Sequence, residues 1–525
     1  MKTINRRSFL KSAALTAATV SIPARSWTQV RSANEDVRVA VVGLHGRGQD
    51  HLQGLAGVKN VRVTGLCDVD VSVLESGAKK LRDKGGDVAV FTDIRKLLES
   101  KNVDAVSIAT PNHWHALAAI WAIQAGNDVY VEKPVSHNVW EGRKIVEAAR
   151  KYGKIVQTGT QSRSSSGIAE CFAWLKEGHL GKIKLARGLC YKPRSSIGKV
   201  SGPQPIPPEI DYDLWCGPAP MKPLRRAHLH YDWHWIWDTG NGDLGNQGIH
   251  QMDIARWALG ENELSPRVLS VGGRLGYIDD GETPNSLIVF HDYPTAPLIF
   301  EVRGLPAKAG DKKMDNYRGA SVGVVLDYEG GHVLIPNYSS ATVYDKDQKP
   351  IKEFKGASSH YENFIQAVHS RRHTDLKADI LEGHLSSALC HTGNISYRLG
   401  HESSPNEILE RIQGDKNLAE SFGRMREHLE ANQVNLDATK ASVGALLTMD
   451  AKTERFVGSS NAPLGASPSQ PSVRTRLETG QGAKLLAENA IAKAAPAPSS
   501  DGWTVQANEL LARDYRKPYV VPEKV

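Results

Sequence analysis

From residue 37 to about 160, short apolar runs rich in β-branched residues alternate with stretches whose apolar positions recur at helical spacing. Val37 to Val42, Val61 to Leu66, Ala105 to Ala109, Asp128 to Val131 and Ile155 to Thr158 read as strands, and Trp114 to Ala125 and Trp140 to Tyr152 as helices between them. Strands alternating with helices at this interval predict a parallel, doubly wound sheet, because each parallel connection needs a crossover long enough to hold a helix. From about 180 to 345 the runs lengthen and alternate: Ile183 to Tyr191, Val268 to Tyr277, Ser286 to Phe290, Leu298 to Val302, Ser321 to Tyr328 and His332 to Ile335. They predict a second domain built on a large, mainly antiparallel open sheet, an α+β partner to the first α/β domain. Helical patterning returns at His360 to Arg371 and Glu382 to Leu399. Beyond 403, charged helical segments give way to Ser/Pro/Ala-rich stretches, Gly458 to Val473 and Ala490 to Gly502, which read as flexible connections. The predicted organisation is a leader over 1–33, a doubly wound domain over 36–160, an α/β domain over 161–402 and a partly flexible extension over 403–525.

Charge changes this picture only at the N-terminus. The chain of 525 residues carries a formal +7, but Lys2, Arg6, Arg7, Lys11, Arg25 and Arg31 precede the first acidic residue, Glu35, and account for all but one of those charges. No electrostatic case remains for nucleic acid or anionic lipid. Asn5-Arg6-Arg7-Ser8-Phe9-Leu10-Lys11 with the short Ala/Thr-rich run after it resembles a twin-arginine (Tat) export signal, an address read by a receptor. That run is too short for a membrane span, and no cysteine near it could carry a lipid, so no stable membrane anchor is expected. The five cysteines, Cys67, Cys171, Cys190, Cys216 and Cys390, are scattered without CxxC spacing, giving neither a disulfide framework nor a zinc site. Such usage fits folding in a reducing cytoplasm and export of the folded protein to the periplasm or beyond.

The chemistry collects at the predicted strand ends. Val42-Gly43-Leu44-His45-Gly46-Arg47-Gly48 is a strand entering a Gly-rich turn, suited to cradle a pyrophosphate at a helix N-terminus, with His45 where GxGxxG has its middle glycine. Asp68, 25 residues after Gly43, ends the second strand, where a carboxylate accepts from the adenosine ribose hydroxyls and repels a 2′-phosphate, favouring NAD over NADP. Thr110-Pro111-Asn112-His113-Trp114-His115 and Glu132-Lys133-Pro134 follow two further strands, so Gly43, Asp68, Pro111 and Lys133 are expected on one crevice. In His228-Leu229-His230-Tyr231-Asp232-Trp233-His234-Trp235-Ile236-Trp237-Asp238, HxH followed by HxxxD fits no zinc pattern and no metal is expected. Its tryptophans suit either a sugar face, with Trp233, His234 and Trp235 as substrate contacts, or core packing.

The Gly-rich turn, Asp68, TPNHWH, EKP and Gly248-Ile249-His250-Gln251-Met252-Asp253 stand in the order of the Gfo/Idh/MocA oxidoreductases, and residues 36 to about 400 resemble that family. The resemblance implies a Rossmann domain binding NAD through Gly43, His45, Gly46, Arg47, Gly48, Asp68, Thr110, Pro111, Asn112, His115, Glu132 and Lys133. It implies catalysis by Lys133 and His250 at a substrate hydroxyl, with Asn246 and Asp253 beside them. Many sugar and inositol dehydrogenases of the family carry an Asp where this chain has Asn246, and an amide cannot take a proton, which leaves Lys133 or His250 as the base. The implied activity is hydride transfer between a tightly held NAD(H) and a hydroxyl carbon of a sugar, glycoside or cyclitol. Redox-assisted glycoside cleavage and a non-catalytic sugar or NAD sensor stay open, and a homo-oligomer is compatible with the sequence.

Overall fold

The computed structural model describes residues 36–460, 464 and 502–525; the Tat-like leader lies outside them. Six parallel strands form the first sheet: β1 Val37–Val42, β2 Val61–Cys67, β3 Ala89–Phe91, β4 Ala105–Ile108, β5 Asp128–Val131 and β6 Val156–Thr158, in the order β3-β2-β1-β4-β5-β6. The order reverses between β1 and β4, which opens the crevice where α/β sheets bind ligands. β4 and β5 are buried throughout and β1 at every position but the half-buried Arg38, as a sheet covered by helices on both faces requires. The three-residue β3 sits at the edge with an exposed alanine, which is why no apolar run announces it.

Twelve strands make the second sheet: β7 Ile183–Tyr191, β8 Arg267–Gly273, β9 Ser286–His291, β10 Leu298–Arg303, β11 Val322–Tyr328, β12 Gly331–Ile335, β13 Ser340–Asp345, β14 Pro350–Lys355, β15 His401–Ser403, β16 Ala441–Val443, β17 Leu446–Asp450 and β18 Arg455–Ser460. All pairs are antiparallel except β7 with β10. β14 is an edge strand with one buried side chain, and so lacks the alternation that marks its neighbours. One face of this sheet packs on the helices Ser166–Lys176, Ile249–Leu259 and Ile380–Arg398, and the other on Pro405–Ile412 and Lys416–Ala431.

Much of the predicted extension is therefore built into the fold. Residues 401–460 complete the second sheet and cover its outer face, and Gly458 to Ser460, expected in a flexible connection, belong to β18. The rest of Gly458 to Val473, apart from Leu464, and Ala490 to Asp501 lie outside the described residues. The last segment, 502–525, starts with the helix Gly502–Glu509 and docks on the first domain, where Tyr519, Val521 and Val525 join its core. Their partner is the helix Asn112–Gln124, apolar all round, which needs a second cover besides the sheet.

Candidate active site

β1 runs into Gly43, whose φ of 84° lies in the region that favours glycine. A Cβ there would come within 2.7 Å of the Ala109 and Thr110 backbone, and one on Gly48 within 1.9 Å of the Gly43 carbonyl, so close packing of turn on strand demands both glycines. Gly46 faces open space, with nothing within 4 Å of where its Cβ would be, and caps the helix Arg47–Ala56 without a side chain. The free helix N-terminus, with its positive dipole end, therefore points at a cleft of about 400 Å³. Asp68 lines the same cleft and braces the turn, accepting from Leu44 N (2.6 Å) and Asp70 N (3.0 Å). Burial pushes its carboxyl up while those two amides hold it down. Each carboxylate oxygen keeps acceptor capacity for a ribose hydroxyl. The donors and shape present thus fit a dinucleotide. His45 stacks on His230 at 4.6 Å, and His230 lies 3.0 Å from Asp70, so the 228–238 segment closes over the turn. The C-terminal segment packs behind the cleft, on Trp114 and Trp121 through Tyr519.

At the other end, Thr110, Pro111, Asn112 and His115 line the cleft after β4, and Glu132 and Lys133 after β5. His115 ties the two loops together, 2.7 Å from Thr110 O and 2.6 Å from Pro134 O. Buried Glu132 gathers Arg47 Nε (2.8 Å), His51 Nε2 (3.1 Å), Gln161 Nε2 (3.2 Å) and Lys133 N (3.2 Å). Burial alone would raise its pKa; the charge of Arg47 and the bond from His51 instead hold it well below the usual carboxylate range. Lys133 Nζ donates to Asn246 O at 2.8 Å. Burial draws the lysine below its ordinary value, with Glu132 opposing and Arg47 and Lys192 assisting. Asn246 lies in a π-helical turn, Leu244–Gly248, a widened backbone of the kind that often carries function.

The expected catalytic set does not stay together. Lys133 and Asn246 line the cleft, while His250, at the start of the helix Ile249–Leu259, is 6% exposed behind them with its ring 4.9 Å from Tyr338. Burial and then the charge of Lys133 hold its pKa far down, and Nδ1 has no partner among the described residues. Asp253 turns away: fully buried, it takes Arg163 Nε on both oxygens at 2.9 Å and Ser386 Oγ at 2.7 Å, locking helices together. Among the expected sugar contacts, Trp233 and His234 line the cleft, stacked on each other at 3.6 Å. Trp235 is 5% exposed beneath the Arg194 guanidinium, which places it in packing. Sequence reasoning passed over Lys192 and Tyr338, which no motif marks. Lys192 Nζ donates to Gln247 Oε1 and Gln247 Nε2 to Tyr338 Oη, each at 2.8 Å, and only the sheet brings β7 and the β12–β13 turn beside His250. Among the described residues no group of three His, Cys, Asp or Glu could hold a metal, and no helix is long and apolar enough to cross a membrane.

Residues 37–160 match the family model for the NAD-binding Rossmann fold of the Gfo/Idh/MocA oxidoreductases, and 182–289 that for the family's C-terminal α/β domain. Inositol 2-dehydrogenase of Salmonella typhimurium is 28% identical over 172 residues, 32% of this chain and 50% of that protein. Glycosyl hydrolase family 109 protein 2 of a Shewanella strain is 30% identical over 171 residues, 28% of this chain and 38% of that protein. The chain thus spans about half the length, or less, of these curated relatives. In fold it is similar to the WlbA dehydrogenase of Bordetella pertussis, solved with NADH and UDP-GlcNAcA, at a TM-score of 0.52 and 18% identity, covering 69% of this chain and 97% of that one. Over 37–160 and 182–289, then, the chain is similar to the NAD-binding Rossmann domain and the C-terminal α/β domain of the Gfo/Idh/MocA oxidoreductases.

Proposed function

We propose that this protein is an NAD-dependent oxidoreductase acting on a hydroxyl carbon of a sugar, glycoside or cyclitol. The observation that carries it is one cleft holding both the uncapped helix N-terminus at Gly46 and the amine of Lys133, buried and lowered in pKa beside Asn246. When bound, NAD⁺ supplies the acceptor for hydride from the carbon beside the substrate oxygen. Lys133 Nζ takes the hydroxyl proton, for which its lowered pKa suits it. The Asn246 amide orients the hydroxyl without accepting its proton. His250, held neutral behind Lys133, keeps Nδ1 without a partner among the described residues. Trp233 and His234 present a stacked aromatic wall for a sugar ring. Asp68 favours NAD over NADP by charge.

The test is mass spectrometry of products from a panel of cyclitols, sugars and glycosides, with Lys133→Ala alongside. Lys133→Ala is expected to lose turnover by on the order of a hundredfold; near-normal kcat would remove the lysine from the mechanism. Similarity to a glycosyl hydrolase supports a second reading, redox-assisted glycoside cleavage, for which release of aglycone with no net NADH is the signature. With Tat export, the cofactor loads in the cytoplasm and stays bound, so the purified protein carries NAD(H) through gel filtration. Cofactor-free protein that binds added NAD⁺ weakly would overturn that scheme.

A further inference from the structure

One wall of the cofactor cleft comes from outside the first domain. Leu214 and Trp215, in the helix Tyr212–Cys216 between β7 and β8, line the cleft together with Asp68, Val69 and Ile94. The chain around that helix is tied to the first domain on two sides. On one, Ile210 pairs with Asp70 in an isolated antiparallel bridge, and Glu209 O accepts from Val71 N at 3.1 Å, just beyond Asp68. On the other, Trp114 Nε1 donates to Leu214 O (3.0 Å) and Trp215 O (3.2 Å), and His113 Nε2 lies 2.9 Å from Trp215 O. A Cβ on Gly217, which ends the helix at a φ of 49°, would fall 2.3 Å from the Trp114 ring. The helix therefore reaches from the loop that carries Asp68 to the helix Asn112–Gln124, and walls the end of the cleft where the ribose acceptor stands.

Five residues make little more than one turn, and a helix that short does not hold itself in water. Besides those backbone bonds, it is held by the C-terminal segment. Exposed Asp213 accepts from Tyr519 Oη at 2.8 Å on one carboxylate oxygen and from Arg516 Nη1 on the other. Arg516 also donates from Nη2 to Asp213 O (2.7 Å) and from Nε to Gly217 O (3.2 Å). One guanidinium thus clasps a carboxylate and two carbonyls at the C-terminal end of the helix, the end that suits a cation. The segment is rooted in the first domain, with Tyr519 buried against Trp114 and Trp121 and Tyr515 Oη donating to Glu141 at 2.9 Å. Residues 502–525 contribute no residue to the cleft, so they reach the cofactor site only through this helix.

We propose that the C-terminal segment is a strap: Arg516 and Tyr519 hold the helix Tyr212–Cys216 against the first domain through Asp213, and so set the rate at which NAD(H) leaves. Both are positioning residues that act through Leu214 and Trp215, a role that rests on the reading of this cleft as the cofactor site. For the dinucleotide to leave, the wall made by the helix must part from the first domain. Each bond from the strap belongs to the held state alone, so losing one raises the population of the parted state and quickens release in proportion.

Release of NADH from the full chain tests this, followed by the fluorescence of the reduced nicotinamide as excess NAD⁺ displaces it. Tyr519→Phe keeps the ring in its packing and deletes only the hydroxyl, and Arg516→Met keeps the stem and deletes the clasp. Release is expected to quicken by about threefold in Tyr519→Phe, which loses one bond to an exposed carboxylate, and by about tenfold or more in Arg516→Met. Arg371→Met breaks the ion pair to Asp128, at the end of β5 opposite the cleft, and is expected to release at the wild-type rate. Circular dichroism and the thermal midpoint establish that all three variants are folded. Wild-type release in both strap variants, or equal quickening in Arg371→Met, overturns the strap and leaves the cofactor site standing; a wild-type chain that binds no NADH overturns both.

Discussion

Exchanging Glu132 for glutamine keeps the outline of the side chain and removes its charge. Oε1 receives Arg47, His51 and Gln161, and Oε2 the Lys133 amide. A glutamine can turn its oxygen to only one side, so its own NH₂ then confronts donors on the other. A buried donor left facing it costs about 1–3 kcal/mol. The Arg47 side chain is 38% exposed, so its share is discounted for solvent screening. We expect a loss of about 2–3 kcal/mol, read by scanning fluorimetry as a fall in thermal midpoint on the order of 5 °C. Because the folded-state pKa of Glu132 lies below its unfolded value, its contribution is present above the ordinary glutamate range and lost as pH falls through the folded value. The gap between wild type and variant should therefore close in acid. The catalytic readout moves as well. Glu132 holds the pKa of Lys133 up against burial, so removing the charge lets the amine lose its proton more easily. Unit charges a few ångströms apart interact by a few kcal/mol at an effective dielectric near 20, so the limb of kcat/KM that rises with pH should shift acidward by about one unit or more. A limb that stays in place or moves to higher pH would refute Lys133 as the titrating base.

Three other perturbations separate the parts of the molecule. Asp68→Ala should weaken NAD binding and narrow the preference over NADP, and because the carboxylate also braces Leu44 N and Asp70 N, a modest fall in thermal midpoint should accompany it; an unchanged NAD/NADP ratio would take Asp68 out of the cofactor site. Tyr519→Ala removes a ring packed on Trp114 and Trp121 and its bond to Asp213, at a cost of about 3–5 kcal/mol, and should expose the terminal segment to limited proteolysis; wild-type resistance would show that this anchor is dispensable. Replacing Arg6 and Arg7 with Lys should hold the protein in the cytoplasm with its activity intact, and export at the normal level would sink the twin-arginine assignment.

The sequence alone determined the parts of this protein whose signal is local. Period-2 and period-3.6 patterning located β5 and β7 at their observed bounds and placed the strand ends that carry Gly43, Asp68, Pro111 and Lys133, because a parallel sheet imposes near-continuous apolar runs and its crevice follows from strand order. The helix Asn112–Gln124, apolar on every side, already announced that something besides the sheet must cover it. What covers it was illegible, since Tyr519 lies some 400 positions away and its ring carries no periodicity that points to Trp114. The same holds at the site. Spacing put His250 and Asp253 on one helix three apart, but which packs on Tyr338 behind the cleft and which locks onto Arg163 depends on how that helix packs, and Trp235 and Trp233, two apart, part company for the same reason. Lys192 and Tyr338 come to their places only through the pairing of distant strands. Local sequence encodes propensity and spacing, whereas these contacts are chosen by the packing of faces far apart along the chain, which only the tertiary structure decides.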